Sequence, residues 1–569
     1  MNANWTRGTH NVRFGYEMAS RYMNHWEGSE AGAFSFDGSV TTIKGGASPN
    51  QFNSYGEFLL GLPSSVSRTH LPEQMSAHER LGGLYVRDQW QVSRRLTFSY
   101  GLRWEYYPMP ARRTRGMETY DVSTNKMLIC GVGAVPKDCG MKVSKRLFAP
   151  RFGLSYRVTD SFVIRAGYGI TYDPYSLARA MLTNYPTSVS LSMPRDNSYV
   201  AVGTLAQGIP KIVDTEFGNG IIDVPTQYSV PVLPNFFRRG YIQSWNFSLQ
   251  KQLRENLTGE VAYVGTRQVR QFGTRNLNAG TLGGGQNSQP FFKAYGRTAS
   301  VSTITPRGNS HYDALQARLH RRFSEGLQLQ ANYTWSKSMG VCCDSDSGGS
   351  PAILLPEYSK LNYAVSSIDR THTFTFTGMY ELPFGKGKKF LNYKGLSSKL
   401  FGGWQVNALL VAYTGLPFTV SSSATSLNTP GSSQRADQVK PNVQKLGGIG
   451  ATTAYYDPLA FAPVTTVTFG TAGFNSLRGP GYVNLDAGIF RAFAIREGWQ
   501  IQLRAEALNF TNTPHFGNPA SNVSNLQLNP DGSIRSLGGF MTITTISPVA
   551  ASREGIDERL IRFGLHLRF

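Results

Sequence analysis

Chemistry would have to come from clustered histidines, cysteines, carboxylates or phosphate-cradling glycines, and the chain offers little of this. Its nine His are scattered without metal-ligand spacing. There is neither a Gly-x-Ser-x-Gly nucleophile elbow nor a Gly-x-x-x-x-Gly-Lys-Ser/Thr phosphate loop. The reading is therefore no enzyme and no cofactor. Asp344, Asp346 and the pair Gly348 and Gly349 outline a calcium loop, but no Glu stands at the closing position, so a solvated loop is expected. Cys130 and Cys139 share one long connection with Gly131, Gly133 and Pro136, which permit a compact turn. A loop disulfide between them is expected in an oxidising compartment, with two free thiols as the alternative. Cys342 and Cys343 are vicinal and support no reading. The net charge of +21 invites a nucleic-acid reading. The cations, however, are spread over the whole chain and not gathered on one element, which argues against it.

The elements that carry these residues are strands. The 569 residues show no compositional break, and they hold 12% aromatics, 60 Gly and only 16% charged residues. Mean hydropathy is −0.28, and no apolar run approaches the ~18 residues of a membrane helix. Alternation at period two dominates instead. Leu96, Phe98, Tyr100, Leu102, Trp104 and Tyr106 alternate with Thr97, Ser99, Gly101, Arg103 and Glu105, one set on each face of a strand. The pattern returns from Phe148 to Val158, from Phe162 to Tyr172 after a tight turn at Thr159 and Asp160, from Trp245 to Leu249, from Leu257 to Tyr263, from Leu327 to Trp335 and from Phe374 to Leu382. Such segments, ~9–12 residues long, match tilted membrane strands better than the ~5–6 residues of globular ones. Aromatics crowd their ends, as in Trp104, Tyr106 and Tyr107 or Tyr333 and Trp335, which suits an interfacial girdle. A propeller would need a ~40–50-residue repeat, which is absent.

Short and long connections alternate. Short links at Ser93 to Arg95, Thr159 to Ser161, Arg254 to Asn256, Ser324 to Gly326 and Arg491 to Gly498 interleave with long ones. The long ones are Ala19 to Gly82, Pro108 to Leu147, Asp173 to Gly240, Gln268 to Asn309, Ser338 to Asp369, Gly415 to Gly481 and Thr511 to Gly555. This is the pattern of periplasmic turns and extracellular loops. Glu381 to Trp404, with five lysines, reads as an extended basic turn. The first strand is expected at Asn11 to Met18. The expected fold is thus all-β, an antiparallel transmembrane β-barrel of about 14 strands. The last strand, Leu560 to Phe569, sets Ile561, Phe563, Leu565, Leu567 and Phe569 against Arg562, Gly564, His566 and Arg568. Phe563, Leu565, Leu567 and the terminal Phe569 resemble the C-terminal β-signal read by the outer-membrane assembly machinery.

Several strings resemble the Oar-like TonB-dependent transporters. They are Tyr380-Glu-Leu-Pro-Phe-Gly-Lys-Gly387, Gly403-Trp404 leading to Gly415-Leu-Pro-Phe-Thr419, Arg478-Gly-Pro-Gly481 before Asn484-Leu-Asp486, and Arg504-Ala-Glu506 through Leu508-Asn-Phe510 to Phe516-Gly-Asn-Pro519. Phe148-Ala-Pro-Arg-Phe-Gly153 and Tyr333-Thr-Trp-Ser-Lys337 fit as well. The resemblance implies a location in the Gram-negative outer membrane. It also implies a signal peptide, a carboxypeptidase-regulatory-like domain and a plug ahead of a ~22-stranded barrel. Residues 1–569 would then be one N-terminally truncated barrel domain without a plug, and contact with TonB would run only through the missing plug. Alternation places Arg103, Arg151, Arg157 and Arg165, with Glu105, on the lumen side. There the arginines either pair with Glu105 or plug carboxylates, or meet anionic solutes. Loop cations have outer-membrane lipid and lipopolysaccharide phosphates as possible partners. Three functions follow as alternatives: the barrel of an energy-coupled importer of a bulky or scarce nutrient, a passive porin, and a surface adhesion or scaffold barrel.

Overall fold

The computed structural model describes residues 1–25, 32–41, 51–175, 177, 185–192, 200–341, 352–429, 432–496, 498–547 and 557–569. Cys342, Cys343, Asp344, Asp346, Gly348 and Gly349 lie outside them. One sheet of seventeen strands dominates the described residues. Two of these, Val230–Val232 and Tyr363–Val365, are three-residue pieces of the connections. The remaining fifteen form a wall: β1 (Asn2–Arg7), β2 (His10–His25), β3 (Met75–Gln91), β4 (Leu96–Tyr106), β5 (Leu147–Thr159), β6 (Phe162–Tyr172), β7 (Tyr241–Arg254), β8 (Leu257–Asn276), β9 (Val301–Ser324), β10 (Leu327–Val341), β11 (His372–Glu381), β12 (Trp404–Tyr413), β13 (Tyr482–Arg496), β14 (Trp499–Leu508) and β15 (Leu560–Arg568). Each pairs antiparallel with the next in the chain.

The alternation explains the register. Val86 pairs with Leu102, Leu84 with Trp104, Tyr100 with Phe152, Phe247 with Tyr263 and Tyr333 with Phe374, so one face of the wall is apolar from strand to strand. On that face Leu102 is 44% exposed, as a side chain solvated by lipid should be. Large aromatic and branched side chains opposed across strands also stabilise the ladder by about 0.2–1 kcal/mol per pair.

Three expectations need correction. The first long strand is not Asn11 to Met18 but His10–His25, and it is preceded by β1, with which it forms a hairpin. The sequence of β1, NANWTR, has a single large apolar residue, too few to register as alternation. Second, several strands far exceed the expected length, with β3 at 17, β8 at 20 and β9 at 24 residues. Their upper halves rise beyond the apolar band, where no alternation is required. The connection expected at Ala19 to Gly82 therefore narrows to 26–74, and that at Gln268 to Asn309 narrows to 277–300. Third, the described wall has fifteen strands where about 14 are expected; as a partial barrel should be, it is open, and among the described residues β1 pairs only with β2 and β15 only with β14.

Among the described residues the hydrophobic cores lie in the long connections and the strand tops they pack on. One cluster joins Tyr175, Phe237 and Phe272, and a second joins Tyr120, Met127, Ile129 and Val301. A third gathers Phe418, Val420, Phe461 and Phe540, and a fourth Ile353, Leu355 and Phe474. The wall itself, one sheet thick, has no second layer to bury its faces. The basic connection 382–403 is compact as well: Leu396–Phe401 form a short helix, and Lys388 Nζ meets Glu381 at 2.7 Å.

Candidate functional site

The polar face of β2 to β5 lines a cleft of about 650 Å³. Strand register arranges its charges in rows. Glu17, Gly83 and Glu105 stand side by side in one row, and Arg103 lies one row below. Arg103 Nε donates to Glu105 Oε1 at 2.7 Å, and its Nη1 lies 2.8 Å from Glu17 Oε2. Higher up, Arg21 pairs with Glu79. The next row down is different: Arg13 faces Arg87, Arg87 faces Gly101 and Gly101 faces Arg151. Three guanidinium groups share this row, and the cleft's two carboxylates, Glu17 and Glu105, stand two rows above it beside Arg103. Gly101 permits the crowding, because a Cβ there would come within 2.8 Å of Arg87 Cβ and 2.7 Å of Val86 O. The two rows thus differ, one neutralised within the wall and one with no ion pair among the described residues.

Of the sequence-predicted residues, Arg103, Glu105 and Arg151 come together in this cleft. Arg165, on the next strand, is engaged with Gln250. Arg157 folds down to the short turn, where its Nη2 donates to Arg94 O at 2.9 Å. Arg13 and Arg87 were missed. The parity of β3 could have revealed Arg87, since Leu84, Val86 and Trp90 alternate with Tyr85, Arg87 and Gln89. Glu17 was missed because its partner is 86 positions away.

Above the wall the connections pack as a cap. Cys130 and Cys139 are joined there, with Cα atoms 5.2 Å apart. Glu118 is fully buried between two arginines: Arg115 Nη1 donates to Oε2 at 2.9 Å, Arg112 Nε to Oε2 at 3.3 Å, and Arg112 Nη2 reaches Oε1. Burial pushes the Glu118 carboxyl up, but the Arg112 and Arg115 guanidiniums outweigh it and hold the group below the usual carboxylate range. Arg115 also pairs with Glu73, tying the connection after β4 to that after β2. At the junction of cap and wall, Arg239 Nη2 donates to Pro108 O at 2.8 Å and the group stacks on Phe237 at 4.9 Å. Its burial lowers the Arg239 pKa to about 10.

At the C-terminus, Phe563, Leu565, Leu567 and Phe569 project from the apolar face, with Phe563 83% exposed. The Phe569 ring lies 5.5 Å from that of Trp499 on β14.

A membrane wall one sheet thick, apolar outside and charged inside, with long loops on one rim, agrees with the sequence family that the chain matches over residues 1–554. The chain belongs to the outer membrane beta barrel domain family. This barrel protein is accordingly located in the Gram-negative cell outer membrane. No curated protein matches its sequence. Among solved structures it is similar to a mutant of the ferric enterobactin receptor PfeA of Pseudomonas aeruginosa, with 10% identity and a TM-score of 0.44. It is similar too to the outer membrane transporter YddB of Escherichia coli, with 9% identity and a TM-score of 0.46, and to the siderophore receptor PiuA of Acinetobacter baumannii, with 9% and 0.43. All of the chain is covered in each case, against 53%, 53% and 55% of the other protein. The barrel chain therefore spans about half the length of these proteins.

Proposed function

We propose that this chain is the C-terminal wall of a larger TonB-dependent transporter of the Oar-like kind, importing a bulky or scarce nutrient across the outer membrane. The observation that carries the reading is the parity of the wall. β1 leads into a short turn and β15 leaves a long loop, so both run toward the same rim. A bacterial antiparallel barrel closes only with an even number of strands, because its first and last must run in opposite directions. The fifteen wall strands of the described residues cannot meet this condition. β2 adds a second argument: all its 16 residues pair with β3, but only Gly15 down to His10 pair with β1. An unpaired edge costs several kcal/mol per backbone group in lipid. Strands upstream, about seven of them for a barrel of ~22, would extend β1, cover that edge and reach β15.

The transport reading gives the inner cationic row its task. Arg13, Arg87 and Arg151 would meet the carboxylates of a plug or an anionic solute in transit. The work is passage, not bond-making, so no catalytic residue is required. TonB would act through the plug.

Refolding this chain alone into planar bilayers tests the proposal. The expected result is no defined conductance, with a heat-modifiable folded species appearing only when the upstream segment is supplied. Steady single-channel conductance from a folded monomer would replace the proposal with the passive-porin reading.

A further inference from the structure

We infer that the cap is built as two leaves joined by one latch, a glycine-rich tongue at 281–285, and that it opens along the seam this tongue crosses. The leaves follow from which connections share a core. Those after β2, β4, β6 and β8 hold the clusters around Phe237 and Tyr120. They are cross-tied by Arg115 with Glu73, by Leu233 N donating to Thr119 Oγ1 at 2.9 Å, and by the Tyr295 hydroxyl donating to Ser123 O at 2.9 Å. The connections after β10, β12 and β14 hold the clusters around Phe540 and Ile353. Their ties are Ser433 N to Ala352 O at 2.8 Å, Asn475 Nδ2 to Val365 O at 2.8 Å and Ser421 N to Ser521 O at 2.9 Å.

The tongue is rooted in the first leaf and tipped into the second. At its root Asn278 is wholly buried, donating from Nδ2 to Arg297 O at 3.0 Å and Ala299 O at 2.9 Å and accepting from Phe291 N at 2.9 Å. The tip closes on itself as a unit, with Thr281 N donating to Ser288 Oγ at 2.9 Å and Gly284 N to Thr281 O at 3.0 Å. It then crosses to the connection after β12. Gly283 N donates to Leu427 O at 2.9 Å, Gly285 N to Asn428 O at 2.7 Å, Asn428 Nδ2 to Gly283 O at 3.0 Å and Thr429 Oγ1 to Thr281 O at 3.3 Å. Leu282 packs on the cluster of Ile353 and Leu355. Glycine is required at the crossing: φ is +74° at Gly283, and a Cβ there would come within 2.8 Å of Val467 Cγ1.

Among the described residues, every hydrogen bond between the connections of one leaf and those of the other runs between 281–285 and 427–429, and no salt bridge or disulfide joins them. The free energy of a local opening follows the apolar surface it exposes. Here that is one half-buried leucine, Leu282, against the wholly buried Phe237 and Phe540 inside the leaves. The seam therefore parts while both leaves stay folded. In the transport reading this parting admits a solute to the inner face; the opening itself does not depend on that reading.

The test uses the full chain, together with whatever upstream segment it needs to fold, and reads conformation instead of transport, so that its failure sinks the latch and leaves the transport proposal standing. Hydrogen exchange should be at least about tenfold faster at the Gly283 and Gly285 amides than at the core amides of Ile129 in the first leaf and Ala436 in the second. Gly283→Ala, which cannot seat against Val467, and the milder Thr429→Val should each speed the tongue amides further and leave Ile129 and Ala436 unchanged. Spin labels on unnatural side chains at Lys293 and Thr452, one on each leaf, should report a second, longer distance that gains population in Gly283→Ala. A pair within the first leaf, at Lys137 and Lys293, should keep one distance throughout. Exchange at the tongue as slow as at the cores, or loss of protection at both cores in the variants, would show the cap to be one body and overturn the inference. A single distance between the leaves, unmoved by Gly283→Ala, would also overturn it, reducing the tongue to a fraying loop tip.

Discussion

The wall and the cap solve opposite solvation problems with the same amino acids. In the wall Leu102, Phe98 and Tyr100 point outward and remain about 40% exposed, because their solvent is hydrocarbon. In the cap Phe540, Met127 and Ile129 are wholly buried, as in any water-soluble domain. Charges invert in parallel. Glu118 is sealed between two arginines in the cap, whereas Arg13, Arg87 and Arg151 line an open cleft in the wall. A long-looped barrel is thus two folding problems joined end to end. Apolar substitutions should be tolerated on the outer wall where the cap would reject them, and polar ones should be punished in both for different reasons.

The largest expected effect falls on the cap. Glu118→Gln leaves Arg112 buried without a counter-charge and Arg115 with Glu73 alone, and should cost roughly 3–5 kcal/mol. It should open the loops to protease while the wall keeps its heat-modifiable gel shift. Glu118 also sets a pH dependence: its folded pKa is depressed, so the stabilisation is complete above the ordinary carboxylate pKa of ~4.3 and fades as pH falls through the lower folded value. Acid should therefore expose the cap of the parent to protease, and the Gln variant should show no such pH step. A matching step in both would reassign it to another carboxylate.

Next comes the wall. Leu102→Arg should cost about 2–4 kcal/mol, since it places a cation in the hydrocarbon. Urea titration in bilayers should show the loss, with cap proteolysis unchanged. Arg103→Leu should cost less, about 1–3 kcal/mol, because it strands the buried Glu105 and not because of the new side chain. Adding Glu105→Gln should recover most of it. If the recovery fails, the ion pair is not what holds this part of the inner face.

The smallest expected effect is the cap disulfide. Cys130→Ser should lower cap stability by roughly 2–3 kcal/mol for so short a loop, less than Glu118→Gln, and leave wall unfolding unaltered. Alkylation of the unreduced, denatured parent should find both thiols blocked.

Alternation by itself determined most of the wall: which residues share a face, where most of the strands turn, and that Arg103, Glu105 and Arg151 stand on one side. It could do so because a strand in a bilayer has two different solvents on its two sides, which writes polarity into every second residue. Where that constraint lapses, so does legibility. β1, with Trp5 alone, left no pattern, and neither did the tops of β8 and β9, which stand in water on both faces. Asp88 even contradicts the pattern. It shares the apolar side of β3 with Leu84 and Val86, yet is held there by the Tyr100 hydroxyl at 2.9 Å and His10 Nδ1 at 2.6 Å, from strands on either side. Only the tertiary structure decided which arginines are neutralised, because Glu17 reaches Arg103 across three strands of sheet. It alone decided the cap, whose cores join connections far apart in the chain, and the open sheet that the fifteen wall strands of the described residues form. Each depends on contacts between distant segments, for which a local period carries no record.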